Sequence, residues 1–130
     1  MKKQGVLNSE LSKIIAELGH GQSLVISDYG LPVPKGVRMV DLAIRENVPS
    51  FIDVLTVILS ELAVEKAVIA DELRQSGHEI YDTIVEKVGH AIALVSHEEL
   101  KKITESVSVI VRTGEWTPYA NIVLYAGVVF

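Results

Sequence analysis

The sequence predicts an α/β protein: a three-layer α/β/α arrangement around a mostly parallel sheet, with a last strand free to run antiparallel. Short apolar runs, "SLVIS" at 23–27, "AVIA" at 67–70 and "AIALV" at 91–95, alternate with longer amphipathic segments. That is the pattern of strands covered on both faces by crossover helices. The apolar share is 48% and the mean hydropathy +0.33, yet the apolar runs fall well short of the ~20 residues of a membrane span. Burial of a sheet on both faces, or burial between subunits, explains such a composition. A chain of 130 residues suits one domain over 1–130, burying roughly 65–70% of its unfolded surface.

Taken in order, Asn8 or Ser9 reads as an N-cap, followed by Leu11, Ile14, Ile15 and Leu18 at helical spacing, with Gly19 as the stop. "SLVIS" is short enough for a buried strand. "GLPVPKG" at 30–36 excludes a helix, because each proline pushes its predecessor to extended geometry. Residues 37–44 read as a strand. Pro49-Ser50 opens a helix that places Ile52, Leu55, Ile58, Leu59 and Leu62 on one face. A strand at 67–70, a helix at 79–88, a strand at 91–95, a helix at 98–104, a strand at 107–111 and a final strand at 121–125 complete the alternation. There is no internal repeat.

Charge and composition remove several functions. Twelve basic residues against 17 acidic ones give a net charge of −5 without a basic block, which speaks against nucleic acid as partner. The absence of cysteine removes disulfides, thiolate metal sites and a cysteine nucleophile. The segment after Lys2 and Lys3 turns polar at Asn8-Ser9-Glu10, unlike a signal peptide, and the expectation is a cytoplasmic protein without a membrane partner. There is no phosphate-binding loop or dinucleotide fingerprint, and no histidine or carboxylate pair has metal-ligand spacing. No cofactor is expected.

In open α/β sheets ligands bind outside the carboxyl ends of the strands. Asp28 follows "LVIS", His97 lies two residues past "AIALV", and Arg112-Thr113-Gly114-Glu115 follows the next strand. Tyr119 and Asn121 reach the same rim if the last strand runs back. Each residue also has a structural reading: Asp28 as a turn cap, His97 as a helix-cap residue, Tyr119 as a packed ring, and His20 as a cation at a helix end. His78 and His90 receive no role. Asp and Asn hydrogen-bond hydroxyls and His exchanges protons near neutral pH, so the set suits proton transfer on a neutral polyhydroxylated molecule. A sugar-binding accessory without catalysis is the alternative. A small nucleotide-binding α/β protein ranks last, for want of a phosphate loop.

Four separated segments, "LNSELSKIIAELGHG" (7–21), "SDYGLPVP" (27–34), "SHEEL" (96–100) and "RTGEWTPYANIVLYAGVVF" (112–130), in order closely resemble the D-ribose pyranase family, which interconverts ribopyranose and ribofuranose forms. The related fucose mutarotases share the GH and the TGE followed by Y-x-N but lack the GLPVP and SHEE segments. The resemblance implies that His20 is the catalytic proton donor and that Asp28, His97, Tyr119, Ala120 and Asn121 bind the sugar. It further implies an isomerase, an α/β/α fold and a ring-like decamer with the site at a subunit interface, the apolar residues up to Phe130 packing on a neighbour. Two departures stand out: Tyr29 where the family usually has Ala, and a segment around 75–89 shorter than in longer relatives. Geometry adds that His20 precedes and Asp28 follows the strand "SLVIS". About 20 Å of extended chain, at roughly 3.3 Å per residue, then separates them, so one sugar would need His20 and Asp28 from two subunits.

Overall fold

A computed structural model describes residues 1–89 and 91–130; His90 lies outside the described residues. The chain runs α1 (Ser9–Glu17), β1 (Ser23–Ser27), β2 (Arg38–Asp41), α2 (Phe51–Leu59), β3 (Val64–Ala70), α3 (Asp71–Gln75), α4 (Glu79–Val88), β4 (Ile92–Val95), α5 (His97–Ile103) with a 3₁₀ turn at Thr104–Ser106, β5 (Val109–Arg112) and β6 (Ile122–Ala126). The strands form one sheet in the order β2-β5-β1-β6-β3-β4. Five are parallel. β6 runs antiparallel between β1 and β3, as its sequence position allowed.

The helix starts are set by local chemistry. Asn8 Oδ1 accepts the Leu11 N–H at 2.9 Å and caps α1. At α2, Ser50 Oγ accepts from Asp53 N–H at 3.1 Å while the Asp53 carboxylate reaches back to Ser50 N–H at 3.4 Å, a reciprocal capping box. Ser96 Oγ accepts the Glu99 N–H at 3.1 Å and starts α5. His78, given no role in the sequence, caps α4 through its Nδ1, which accepts the Ile80 N–H at 3.1 Å.

Two cores flank the sheet and account for the unbroken apolar strands. On one face Leu24 and Ile26 of β1 pack with Leu11 and Ile14 of α1, Phe51, Leu55 and Ile58 of α2, and Ile80 and Ile84 of α4. On the other, Val25, Ile110 and Val123 pack against Leu100 of α5, Leu31 and Val107. Alternate residues of one strand therefore enter opposite cores, so the three inner positions of β1, Leu24, Val25 and Ile26, are all apolar. The three layers are those the alternation predicts.

The differences lie at element ends. β2 stops at Asp41 rather than at 44, because Asp41 Oδ1 accepts the Ala43 N–H at 3.0 Å and turns the chain into a tight loop in which Ile44 N–H reaches Val48 O at 2.9 Å. β3 begins at Val64, three residues earlier than its apolar run, since its first half pairs only with β6 while its outer face is wet. The short helix α3 has no apolar periodicity to reveal it. β5 and β6 are each offset from the expected 107–111 and 121–125 by one or two residues.

Candidate functional site

The carboxyl ends of β1, β4 and β5 and the start of β6 meet at one rim. Asp28 leaves β1 there with its backbone N–H donated to Asn121 Oδ1 at 2.9 Å and its Oδ2 accepting from Asn121 Nδ2 at 2.9 Å. Its other oxygen accepts the Gly30 N–H at 2.8 Å. Burial pushes the Asp28 carboxyl above the usual carboxylate range, against the opposing pull of Asn121, the Gly30 and Leu31 N–H groups and nearby His97. Asn121 is completely buried, and both ends of its amide are used on Asp28.

The segment that presents Tyr119 is folded back sharply. Tyr119 adopts φ +65°, the left-handed region, and its carbonyl accepts the Asn121 N–H at 2.8 Å. Ala120 turns inward and is fully buried, so its contribution at the rim is backbone and packing. The Tyr119 ring meets the His97 ring edge to face, centroids 5.0 Å apart at 78°. His97 opens α5, and its backbone N–H donates to Glu72 Oε2 at 2.7 Å. Its Nδ1 is buried with no partner among the described residues.

A second set of residues, placed at the rim by the sequence but given no role there, builds the frame. Thr113 Oγ1 donates to Ser27 O at 2.7 Å. Gly114 lies where a Cβ would come within 2.5 Å of Arg45 O, so any other residue would push the two loops apart. The Glu115 carboxylate, buried to 7% exposure, accepts from Phe51 N–H at 3.0 Å and Thr117 Oγ1 at 2.9 Å. It thereby ties the Tyr119 segment to the start of α2. The available signal was the acidic residue inside a Thr-Gly turn ahead of an apolar strand; Glu72 left no comparable mark.

These walls enclose a cavity of about 410 Å³ lined by Asp28, Tyr29, His97, Glu115, Trp116 and Tyr119, among others. His20 is elsewhere. It stands before β1 at the opposite rim, its side chain 59% exposed, with Nε2 2.8 Å from Glu65 Oε2. The full length of β1 separates it from Asp28, so within one chain the structure brings together five of the six candidate residues and leaves His20 apart. Among the described residues no group of His, Asp or Glu could hold a metal ion, and no helix is long and apolar enough to cross a membrane.

The profile of the family described as "RbsD / FucU transport protein family" matches residues 1–129. The chain belongs to this family. It is 50% identical over 131 aligned positions to a D-ribose pyranase of Coprothermobacter proteolyticus, covering all of both chains. It is 49% identical, again over all of both chains, to a D-ribose pyranase of Bacillus cytotoxicus. Among solved structures, Bacillus subtilis RbsD complexed with D-ribose superposes with a TM-score of 0.95 at 46% identity, covering the whole of each chain. The fucose mutarotase of Streptococcus pneumoniae, in complex with L-fucose, gives a TM-score of 0.80 at 24% identity over 95% of each chain. That second likeness concerns the fold.

Proposed function

We propose that this chain is a D-ribose pyranase, an isomerase that interconverts the pyranose and furanose forms of D-ribose without a cofactor, working as a single domain over 1–130. The carrying observation is the convergence of Asp28, His97 and Tyr119 on one cavity, with Asn121 holding Asp28 from behind, in a chain that superposes over its whole length on a relative complexed with D-ribose.

Ring opening moves two protons. The ring oxygen, O5, gains one as the C1–O5 bond breaks, and the anomeric hydroxyl loses one as C1 becomes an aldehyde. Rotation about C1–C2 and attack of O4 on C1, with the reverse proton movements, closes the furanose. A positioned acid or base contributes typically ~10²–10⁴-fold to such a step, a suitable scale for a reaction that already proceeds slowly in water. His20 takes the acid/base role, Asp28 and Asn121 recognise hydroxyls, Ala120 supports the turn, and His97 and Tyr119 orient the sugar or relay the second proton.

His20 then comes from a neighbouring copy. Its distance from Asp28 along β1 supports this, as does the exposed apolar segment at the same rim: Gly21 N–H donates to Ala126 O at 2.8 Å, and just beyond, Val129 and Phe130 are 89% and 100% exposed in the single chain. A homo-oligomer with shared sites, a decamer by family resemblance, would cover them. The working location is the cytoplasm.

The test is NMR magnetisation transfer between the pyranose and furanose signals of D-ribose, with L-fucose as the comparison sugar. Faster exchange on D-ribose is the expected result. Sugar binding without acceleration would identify a non-catalytic binding protein, and acceleration confined to L-fucose a fucose-type mutarotase.

A further inference from the structure

Two aromatic residues at the site rim belong to two cavities at once. Tyr29 and Trp116 line the cavity that holds Asp28 and His97, and both also line a second one of about 230 Å³ whose other walls include Asp41, Ile44, Arg45 and Glu46. The two residues therefore stand between the spaces.

Of the pair, Tyr29 is the braced one. Its backbone N–H donates to Glu115 O at 2.8 Å, and the Arg112 guanidinium lies 4.9 Å from its ring centroid, a cation-π contact. Arg112 is in turn ion-paired with Asp41, its register partner across the β2–β5 ladder. Backbone and ring are both held, although the residue is 49% exposed. Trp116 is 59% exposed and is anchored through its backbone N–H, which donates to Asn47 Oδ1 at 3.0 Å.

The chemistry of the sugar makes such a wall consequential. Ribopyranose has no carbon outside its ring. A hexopyranose with the same configuration at C2, C3 and C4 carries a hydroxymethyl group at C5, on one face in D-allose and on the other in L-talose. A fixed ring beside the pocket is the kind of wall that excludes such an added group while admitting the pentose.

We propose that Tyr29, braced by Arg112 and Asp41, is the specificity-determining wall of the sugar pocket, confining it to a ring without an exocyclic carbon, with the second cavity as the space a larger sugar occupies once the wall is removed. This rests on the pyranase reading above.

The experiment compares ring-form exchange of D-ribose, D-allose and L-talose by magnetisation transfer on the full chain. In Tyr29→Ala, kcat/KM for at least one hexose relative to ribose rises about tenfold or more, since one methylene-sized contact changes discrimination by ~10–200-fold. Tyr29→Phe keeps the parent ratio because the ring remains. Asp41→Asn, which loosens Arg112, moves the ratio in the same direction by a smaller factor. A Tyr29→Ala ratio within about twofold of the parent for both hexoses, well below that range, overturns the proposal, as does a Tyr29→Phe shift equal to that of Tyr29→Ala. Should the parent accelerate exchange of none of the three sugars, the pyranase reading fails by itself. The wall is then judged on the same ratios taken as dissociation constants, an unchanged ratio in Tyr29→Ala overturning it.

Discussion

At the carboxyl end of β1, Asp28 is partly desolvated, its carboxylate and backbone matched by a fully buried Asn121. At the amino end of the same strand, His20 stands in water with Glu65 as its partner, both side chains about half exposed at 59% and 46%. One rim is tied by buried hydrogen bonds; the other holds His20, the proposed proton carrier, in an exposed surface pair. Recognition needs fixed groups, because a hydroxyl is distinguished by direction as well as by contact. Proton transfer needs the carrier only at the moment of reaction, and a neighbouring copy can place it. In the proposed reading, the division of labour thus follows the division of burial.

The sharpest way to break this comparison is to remove one member from each rim. His20→Ala and Asp28→Ala are each expected to lower the catalysed exchange of D-ribose by ~10²–10⁴-fold. His20→Ala keeps much of the sugar affinity, and Asp28→Ala loses it. Mixing the two inactive chains after mild dissociation should restore part of the activity, because some interfaces regain both groups. Complete inactivity in demonstrably mixed oligomers would place the two residues in one chain's site.

Stability should separate the rims next. Asn121→Ala leaves the Asp28 carboxylate and N–H without their partner in a buried setting, at an expected cost of ~1–3 kcal/mol. Glu65→Ala removes a surface pair and should change stability by no more than about 0.5 kcal/mol. Urea midpoints measured on both variants check this; equal losses would mean that the His20 rim is as tightly built as the other.

A subtler separation is in pH. Burial raises the folded-state pKa of Asp28 above its unfolded value, so the charged form costs the native state stability at neutral pH. That cost disappears as pH falls through the folded pKa toward the unfolded one. Asp28→Asn should therefore match or exceed the parent in stability at pH 7, and lose that advantage on acidification over this window. An advantage that grows as the pH drops would show that hydrogen bonding to the carboxylate outweighs its burial. The smallest effect expected is none: exhaustive chelation should leave the exchange rate unchanged, and loss of activity restored by a divalent cation would overturn that.

The sequence already carried most of this asymmetry. The buried strands and capped helices were legible because apolar runs and capping residues are local signals, and the rim positions of Asp28 and His97 were legible because they stand just past strand ends; the direction of the last strand was left open. Tertiary geometry was not legible in the same way. Nothing near Glu115 announces that its carboxylate will cap α2 across 64 residues of chain, and nothing near Glu72 announces its contact with the start of α5. The shortened β2 depended on an Asp41 side-chain bond that competes with the strand ladder. The left-handed Tyr119 is likewise imposed by its surroundings, since nothing in the bulky residue itself favours φ > 0.

The position of β6 also dictates an order of assembly. Strands β2, β5 and β1 form one block and β3 and β4 another, and the sheet joins them only through β6. A growing chain can therefore build two half-sheets, each with an exposed edge, but cannot unite them before residues 122–126 have left the ribosome. Closure depends on contacts far apart in sequence, and such closure is slow because the loop entropy is lost before the contacts form. Tyr119 and Asn121 lead into that same strand, so the pocket is completed in the step that completes the sheet. A nascent chain that has not finished folding cannot hold the sugar.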